Sequence, residues 1–216
     1  MSRSRSAAAL VVLAHPEPSS FAAALAHTAA DALLAAGWSV KLVDLYMEGF
    51  DPVLSAADFS DRLIAERLQP MDEQAHAAAG GTFAPDLARH VELFEAADLL
   101  VLFSPMWWFS VPAMLKGWFD RVLVKGYAYG PVPSWSGPLG DKRALLVMTS
   151  SYSDGAFRAE GSIGDIATVL RPVTYGTLAY CGMQVLEPFI AYGADEVGDD
   201  TRAGYLAALR ARLGEL

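Results

Sequence analysis

Two short stretches of the 216-residue chain combine residue types that could hold and orient a ligand. The first is His15-Pro-Glu-Pro-Ser-Ser20, directly ahead of a segment with helical apolar spacing. Its two prolines prevent regular ladder pairing, and Ser19 and Ser20 offer hydroxyls. The first N–H groups of the helix that follows have no intrahelical partner, so an anion such as a phosphate would be well received there. The same residues also fit an ordinary N-cap by Ser19 or Ser20 beside a surface histidine. The second stretch is Pro105-Met-Trp-Trp-Phe-Ser-Val-Pro112. Neighbouring side chains in a strand or loop diverge, so three consecutive aromatics cannot all face one core. At least one must line a cavity or a partner surface, and a flat stacking ligand would suit such a wall. Core packing combined with a dimer contact is the alternative. No G-x-G-x-x-G fingerprint accompanies the first loop, which argues against NAD as a permanently bound cofactor.

The elements that must position these loops follow from periodicity. Residues 8–14, 98–104 and 143–149 are continuous apolar runs, the pattern of strands buried on both faces in a parallel sheet. Residues 39–45 alternate and read as a second strand, and residues 184–191 as a fifth, with Pro188 marking it as an edge. Helices are expected over 21–36, 55–68, 85–97, 112–124, 165–180 and 201–213, with a flexible loop at Gly80-Gly81. Strands alternating with helices make a single doubly wound α/β domain over 7–214, behind a disordered tail at 1–6. Ligands of such sheets bind beyond the carboxyl ends of the strands. The loops after the first, third and fourth strands are therefore the ones to inspect.

Composition narrows the function. The chain carries 25 acidic and 16 basic side chains, a formal charge of -9, and no Lys/Arg stripe with interleaved aromatics, so nucleic acid is not an expected partner. The uncharged run 99–115 is too short to span a bilayer and holds Pro105 and Pro112. A membrane partner is not expected. A single cysteine makes no intramolecular disulfide, and no Cys/His cluster has zinc spacing, so no metal is expected and a reducing cytoplasm is the expected setting. The 53% hydrophobic content exceeds what a monomer of this kind needs.

The stretch from Pro105 to Leu123, followed by Gly126-Tyr-Ala-Tyr129, closely resembles the signature of the NAD(P)H:quinone oxidoreductase family, the DT-diaphorase-like branch of the flavodoxin-like flavoproteins. Leu13-Ala-His-Pro-Glu-Pro-Ser-Ser-Phe21 is similar to that family's first phosphate loop, and Asp44-Leu-Tyr46, Phe50-Asp-Pro-Val53 and the segment from Cys181 to Pro188 are further matches. The resemblance implies a flavodoxin-like five-stranded sheet of order 2-1-3-4-5. It also implies a homodimer with the flavin site at the interface, and a ping-pong cycle in which FAD takes hydride from NAD(P)H and passes it to a quinone. It places His15, Ser20 and Phe21 at the flavin's phosphates and ribityl chain. Met106, Trp107, Trp108 and Phe109 fall along its ring, and Thr149, Ser150, Ser151 and Tyr152 at its pyrimidine edge. Gln69 and Arg202 match positions at the adenine-nucleotide half, favouring FAD over FMN. Trp107, Phe109, Tyr127 and Tyr129 form the expected substrate wall.

The sequence also departs from that pattern. Where the animal enzymes carry Gly-Gly, a Tyr and a His after the fourth strand, this chain reads Ser151-Tyr152, Phe157 and Ile163. The proton for a reduced quinone must come from elsewhere: Tyr129 and Tyr152 are the phenolic candidates, beside water and the hydroxyls of Thr149, Ser150 and Ser151. Cys181 reads as a buried small hydrophobe, and His27, His76 and His90 as surface or capping residues. Asp58, Asp61, Arg62, Glu66 and Arg67 read as a solvated helix face, and Lys116, Asp120 and Arg121 as structural pairs. Two other function classes fit parts of the pattern: an ancillary subunit of a glutathione-gated potassium efflux system, and a small electron-carrier flavodoxin.

Overall fold

The computed structural model describes residues 6–130 and 137–216. The expected tail lies outside the described residues up to position 5; Ser6 donates its hydroxyl to the Gly37 carbonyl at 2.8 Å. Strands β1 (Ala8–Leu13), β2 (Ser39–Asp44), β3 (Leu99–Pro105) and β4 (Arg143–Thr149) are all parallel. They lie in the order β2-β1-β3-β4, and β4 carries two short edge pieces on its far side, β5 (Gln184–Val185) and β6 (Phe189–Ala191). The fifth strand is thus split in two, because Pro188 has no N–H for the ladder and interrupts the pairing. The sheet has the flavodoxin-like order 2-1-3-4-5.

Side-chain alternation along the central strands builds two cores. Ala9, Val11 and Leu13 of β1, with Leu99, Val101 and Phe103 of β3, pack beneath α1 (Phe21–Ala35) and α6 (Asp199–Gly214). Leu10, Val12, Leu100 and Leu102 face the other way, toward α3 (Pro85–Ala96), α4 (Ala113–Val122) and α5 (Ile166–Val173). Both faces of β3 are therefore dry, which is why its sequence is an unbroken apolar run. Past Pro172 the helix expected to continue to residue 180 changes to a π turn, Thr174–Ala179. Proline lacks the N–H that the α ladder requires.

The helix expected over 55–68 does not form. A single 3-10 turn, Ala56–Asp58, is followed by irregular chain up to α2 (Pro70–Gly80). Residues at those positions are bonded to other elements instead of to their own fourth neighbours. Asp58 is buried, and its carboxylate accepts two bonds from the equally buried Arg121 guanidinium at 3.0 and 3.2 Å. Arg121 also donates to the Asp51 carbonyl at 2.6 Å and to Asp86 at 3.0 Å, with its guanidinium 4.8 Å from the Phe50 ring centre. Glu73 of α2, buried too, accepts from the amides of Leu63 and Ile64 and from Arg62. Of the expected solvated face, Asp58 and Arg62 instead anchor a strap over α2 and α4, while Asp61, Glu66 and Arg67 are exposed as expected. Gly80-Gly81 is not a loose loop: Gly81 caps α2 in the left-handed conformation, φ 66°.

His90 is also not on the surface. It is 4% exposed, edge-on to Phe50 at 4.8 Å, and accepts from the Trp118 indole at 3.4 Å. Burial holds its imidazole below the ordinary value of 6.5. Two outcomes follow from these buried groups. Arg121→Met leaves Asp58 charged and unpaired, and urea titration should show a loss of about 3–5 kcal/mol. His90 makes the fold acid-sensitive. Below pH 6.5 the unfolded chain takes up a proton on His90 that the folded chain resists, so stability declines as pH falls toward the lowered folded value. Urea midpoints at pH 7.5 and 5.5 should differ less in His90→Gln than in the parent.

Candidate active site

The site is built where the strands end. Each strand's last amides extend the ladder into the loop beyond it: Ala14 N–H donates to Phe103 O at 2.8 Å, Met106 N–H to Thr149 O at 2.8 Å and Ser150 N–H to Ala191 O at 3.0 Å. The loops after β1, β3, β4 and β6 thus leave one edge side by side.

The loop after β1 is rigid by its own bonds. Ser20 caps α1, its hydroxyl accepting from Ala23 N–H at 3.2 Å. Glu17, not singled out by sequence reasoning, accepts from Ser19 at both the amide (2.9 Å) and the hydroxyl (2.7 Å), and these bonds hold its carboxyl below the usual range. Ser19's donors are therefore used inside the loop. His15 Nδ1 lies 3.0 Å from the Glu17 amide nitrogen and 3.2 Å from the Glu17 carbonyl oxygen, one a donor and the other an acceptor, so the ring is tied to Glu17 whichever nitrogen carries its hydrogen. His15, Ser20 and Phe21 line a cavity of about 360 Å³ with Thr149, Asp195 and Arg202. Arg202 donates from Nη2 to Ala194 O at 3.0 Å, while its Nε is buried without a hydrogen-bond partner.

The loop after β3 forms a two-residue turn closed by reciprocal bonds between Trp107 and Ser110, both 3.0 Å. Its central residues Trp108 and Phe109 have φ of 51° and 58°, the only non-glycine residues with positive φ among those described. Turns of this kind ordinarily use Asn-Gly. Trp108 is 95% exposed, and Trp107 and Phe109 are each 44% exposed, so burial does not explain the aromatics. Phe109 stacks on Tyr152, ring centres 6.3 Å apart and 28° from parallel. With Met106, Trp108, Ser150 and Ser151 they line a slot of about 190 Å³. Ser151 donates to Asp195 at 2.5 Å, and Ser150 Oγ accepts from Tyr152 N–H at 3.1 Å. The Ser151–Asp195 bond joins the slot to the polar cavity, since Asp195 lines the latter.

Three expected site residues lie apart. Tyr127 packs edge-on against Phe94 at 5.9 Å, and burial raises its phenol's pKa. Tyr129 lines a separate groove with Gln74, Lys116, Tyr180 and Cys181, which shares no residue with the slot. Gln69 precedes α2 and lines neither cavity at the strand ends. Phe157, where the family resemblance leads one to look for a phenol, is buried against Tyr152 and Tyr192. Sequence reasoning missed Asp195, which follows β6; inspecting the loop after every strand, the fifth included, would have found it.

The strained turn makes a prediction. Left-handed backbone costs an L-residue about 1–2 kcal/mol, and truncating Trp108, 95% exposed, loses little burial. Trp108→Asn should therefore gain up to about 1 kcal/mol of stability in urea titration, while the slot loses one of its aromatic walls.

Comparison with known proteins matches this architecture. The family model described as "Flavodoxin-like fold" covers residues 7–216. NAD(P)H dehydrogenase [quinone] 1 of Cavia porcellus is 40% identical over 207 residues, covering 95% of this chain and 75% of that protein. A Klebsiella pneumoniae crystal structure provisionally named as a quinone reductase superposes with a TM-score of 0.91 at 34% identity, over 96% of this chain and 84% of that one. The glutathione-regulated potassium-efflux system ancillary protein of Salmonella typhi is 34% identical over 131 residues, 61% of this chain and 72% of that protein. Fold, strand order and near full-length likeness together mean that the chain belongs to the flavodoxin-like NAD(P)H dehydrogenase (quinone) family.

Proposed function

We propose that this protein is a FAD-dependent oxidoreductase of the cytoplasm that takes hydride from NAD(P)H and passes two electrons to quinones or related electrophiles. Donor and acceptor use one site in turn. The observation that carries this reading is the pairing, at one sheet edge, of a flat aromatic slot with a polar cavity linked to it by Ser151 and Asp195. A planar ring joined to phosphates needs that combination, and NAD(P)H-dependent quinone reduction is the activity named for the Cavia porcellus relative.

The residues present fit a flavin dinucleotide. Arg202 Nε is a buried donor without a partner in the polar cavity, and His15 lines the same cavity. At the start of α1 the Phe21 and Ala22 amides have no intrahelical partner, Ala23 N–H being capped by Ser20, with no acidic side chain in that first turn. Arg202 is also the residue that favours FAD over FMN. Bound flavin supplies the hydride chemistry; the protein supplies stacking, orientation and electrostatics. Phe109 and Tyr152 supply the stacking face. Ser151 has given its hydrogen to Asp195, so toward a ligand its oxygen accepts. Tyr152 is half exposed and brings a phenol O–H to the slot, which makes it the proton donor of choice where Phe157 and Ile163 offer none.

A homodimer completes the site in this reading. Tyr129 and its neighbours form a groove separate from the slot, so both act on one ligand only when a second copy lays its groove over the first copy's slot. The exposed Trp107, Trp108 and Phe109 account for the surplus of apolar residues, as surface that a second copy and a flavin cover. The alternative, a flavin-binding ancillary subunit of a potassium efflux system, rests on a match over a shorter part of the chain.

The test is direct. Denatured protein should release FAD, identified by mass, and the holoprotein should oxidise NADPH when menadione is present; FMN alone, or no flavin and no turnover, sinks the reading. Arg202→Met removes a charged hydrogen-bonding group, and fluorescence titration should show FAD binding weakened by about 1.5–3 kcal/mol, roughly 10- to 100-fold.

A further inference from the structure

One buried amide decides which way the Tyr129 hydroxyl points. Gln74 on α2 is 4% exposed. Its Nε2 donates to the Asp120 carbonyl at 3.0 Å, and its Oε1 accepts from the Lys125 amide at 3.2 Å. A carbonyl can only accept and a backbone N–H can only donate, so these two bonds fix the orientation of the side-chain amide without ambiguity. The Tyr129 oxygen lies 3.2 Å from that same Oε1. Facing an acceptor, the phenol must donate, and it has one hydrogen to give. Burial keeps the phenol protonated. What remains on the Tyr129 oxygen is acceptor capacity. Flipping the amide to release that hydrogen would break both backbone bonds inside a buried site, where unsatisfied groups are costly.

Gln74 and Tyr129 line one groove, about 230 Å³, with Lys116, Asp120, Tyr180 and Cys181. We propose that Gln74 is a positioning residue that commits Tyr129 to act as a hydrogen-bond acceptor in this groove, so the groove selects planar ligands bearing an O–H or N–H donor over isosteres that can only accept. A reduced hydroquinone and a nicotinamide carboxamide both carry such a donor; an oxidised quinone does not. On this account Tyr129 does not supply the proton for quinone reduction. The inference rests on the proposed function only for the identity of the natural occupants.

The experiment is calorimetric binding of 2-naphthol and of 2-methoxynaphthalene to the purified, flavin-loaded protein. The two differ by the loss of one donor. The parent should bind 2-naphthol about fivefold more tightly, the worth of one neutral hydrogen bond. Tyr129→Phe should abolish that preference. Gln74→Met, which frees the phenol hydrogen, should abolish or reverse it, and Gln74→Glu, which keeps an oxygen opposite the phenol, should retain it. No preference in the parent overturns the proposal, as does an unchanged preference in Tyr129→Phe or in folded Gln74→Met. Should Gln74→Met fail to fold, Tyr129→Phe still decides, because it leaves both backbone bonds of the amide in place. NADPH–menadione turnover measured on the same samples separates the two readings. Selectivity without turnover sinks the oxidoreductase function alone, and turnover without selectivity sinks this assignment alone.

Discussion

The whole site depends on a single row of backbone hydrogen bonds running across the carboxyl edge of the sheet. Leu45 is bonded to Leu13, Ala14 to Phe103, Met106 to Thr149 and Ser150 to Ala191. In a parallel sheet all strands end at the same edge, so this row brings the five loops after β2, β1, β3, β4 and β6 together and sets their spacing before any side chain contributes. The dry cores on both faces hold the row in place. What the side chains add is polarity: hydroxyls and Arg202 at one end, aromatic rings at the other.

That division explains the strain in the loop after β3. A turn with Asn-Gly would be relaxed but would present no rings. Trp108 and Phe109 accept a left-handed backbone, and the result is an aromatic pair standing in solvent beside Tyr152. Strain of this kind persists where surrounding structure over-determines it, and it gathers at sites that bind ligands. The reciprocal Trp107–Ser110 bonds supply that determination.

The strands were legible because burial on both faces leaves an unmistakable apolar run: β4 was read from the sequence at its observed limits, and β1 and β3 within one residue of theirs. The first phosphate loop was legible because its prolines and serines act locally. Residues 55–68 were not, since their conformation is set by Arg121 and Glu73, partners that no window of local sequence contains. Asp195 and Gln74 escaped for the same reason. Each matters through a contact 44 to 55 residues away, Ser151 for one and Tyr129 for the other. The missed start of α2 is different: Pro70, Asp72 and Glu73 are local helix-start signals, and Gly81 a local stop, so that helix was there to be read.

The broken fifth strand has a consequence for assembly. With Pro188 between them, β5 and β6 offer two- and three-residue ladders in place of a continuous row of unpaired donors and acceptors. A neighbouring chain finds no template there on which to add a strand. Edge-to-edge growth into a filament is closed off at that side of the molecule, and association is steered toward surfaces where side chains, not backbone, make the contact.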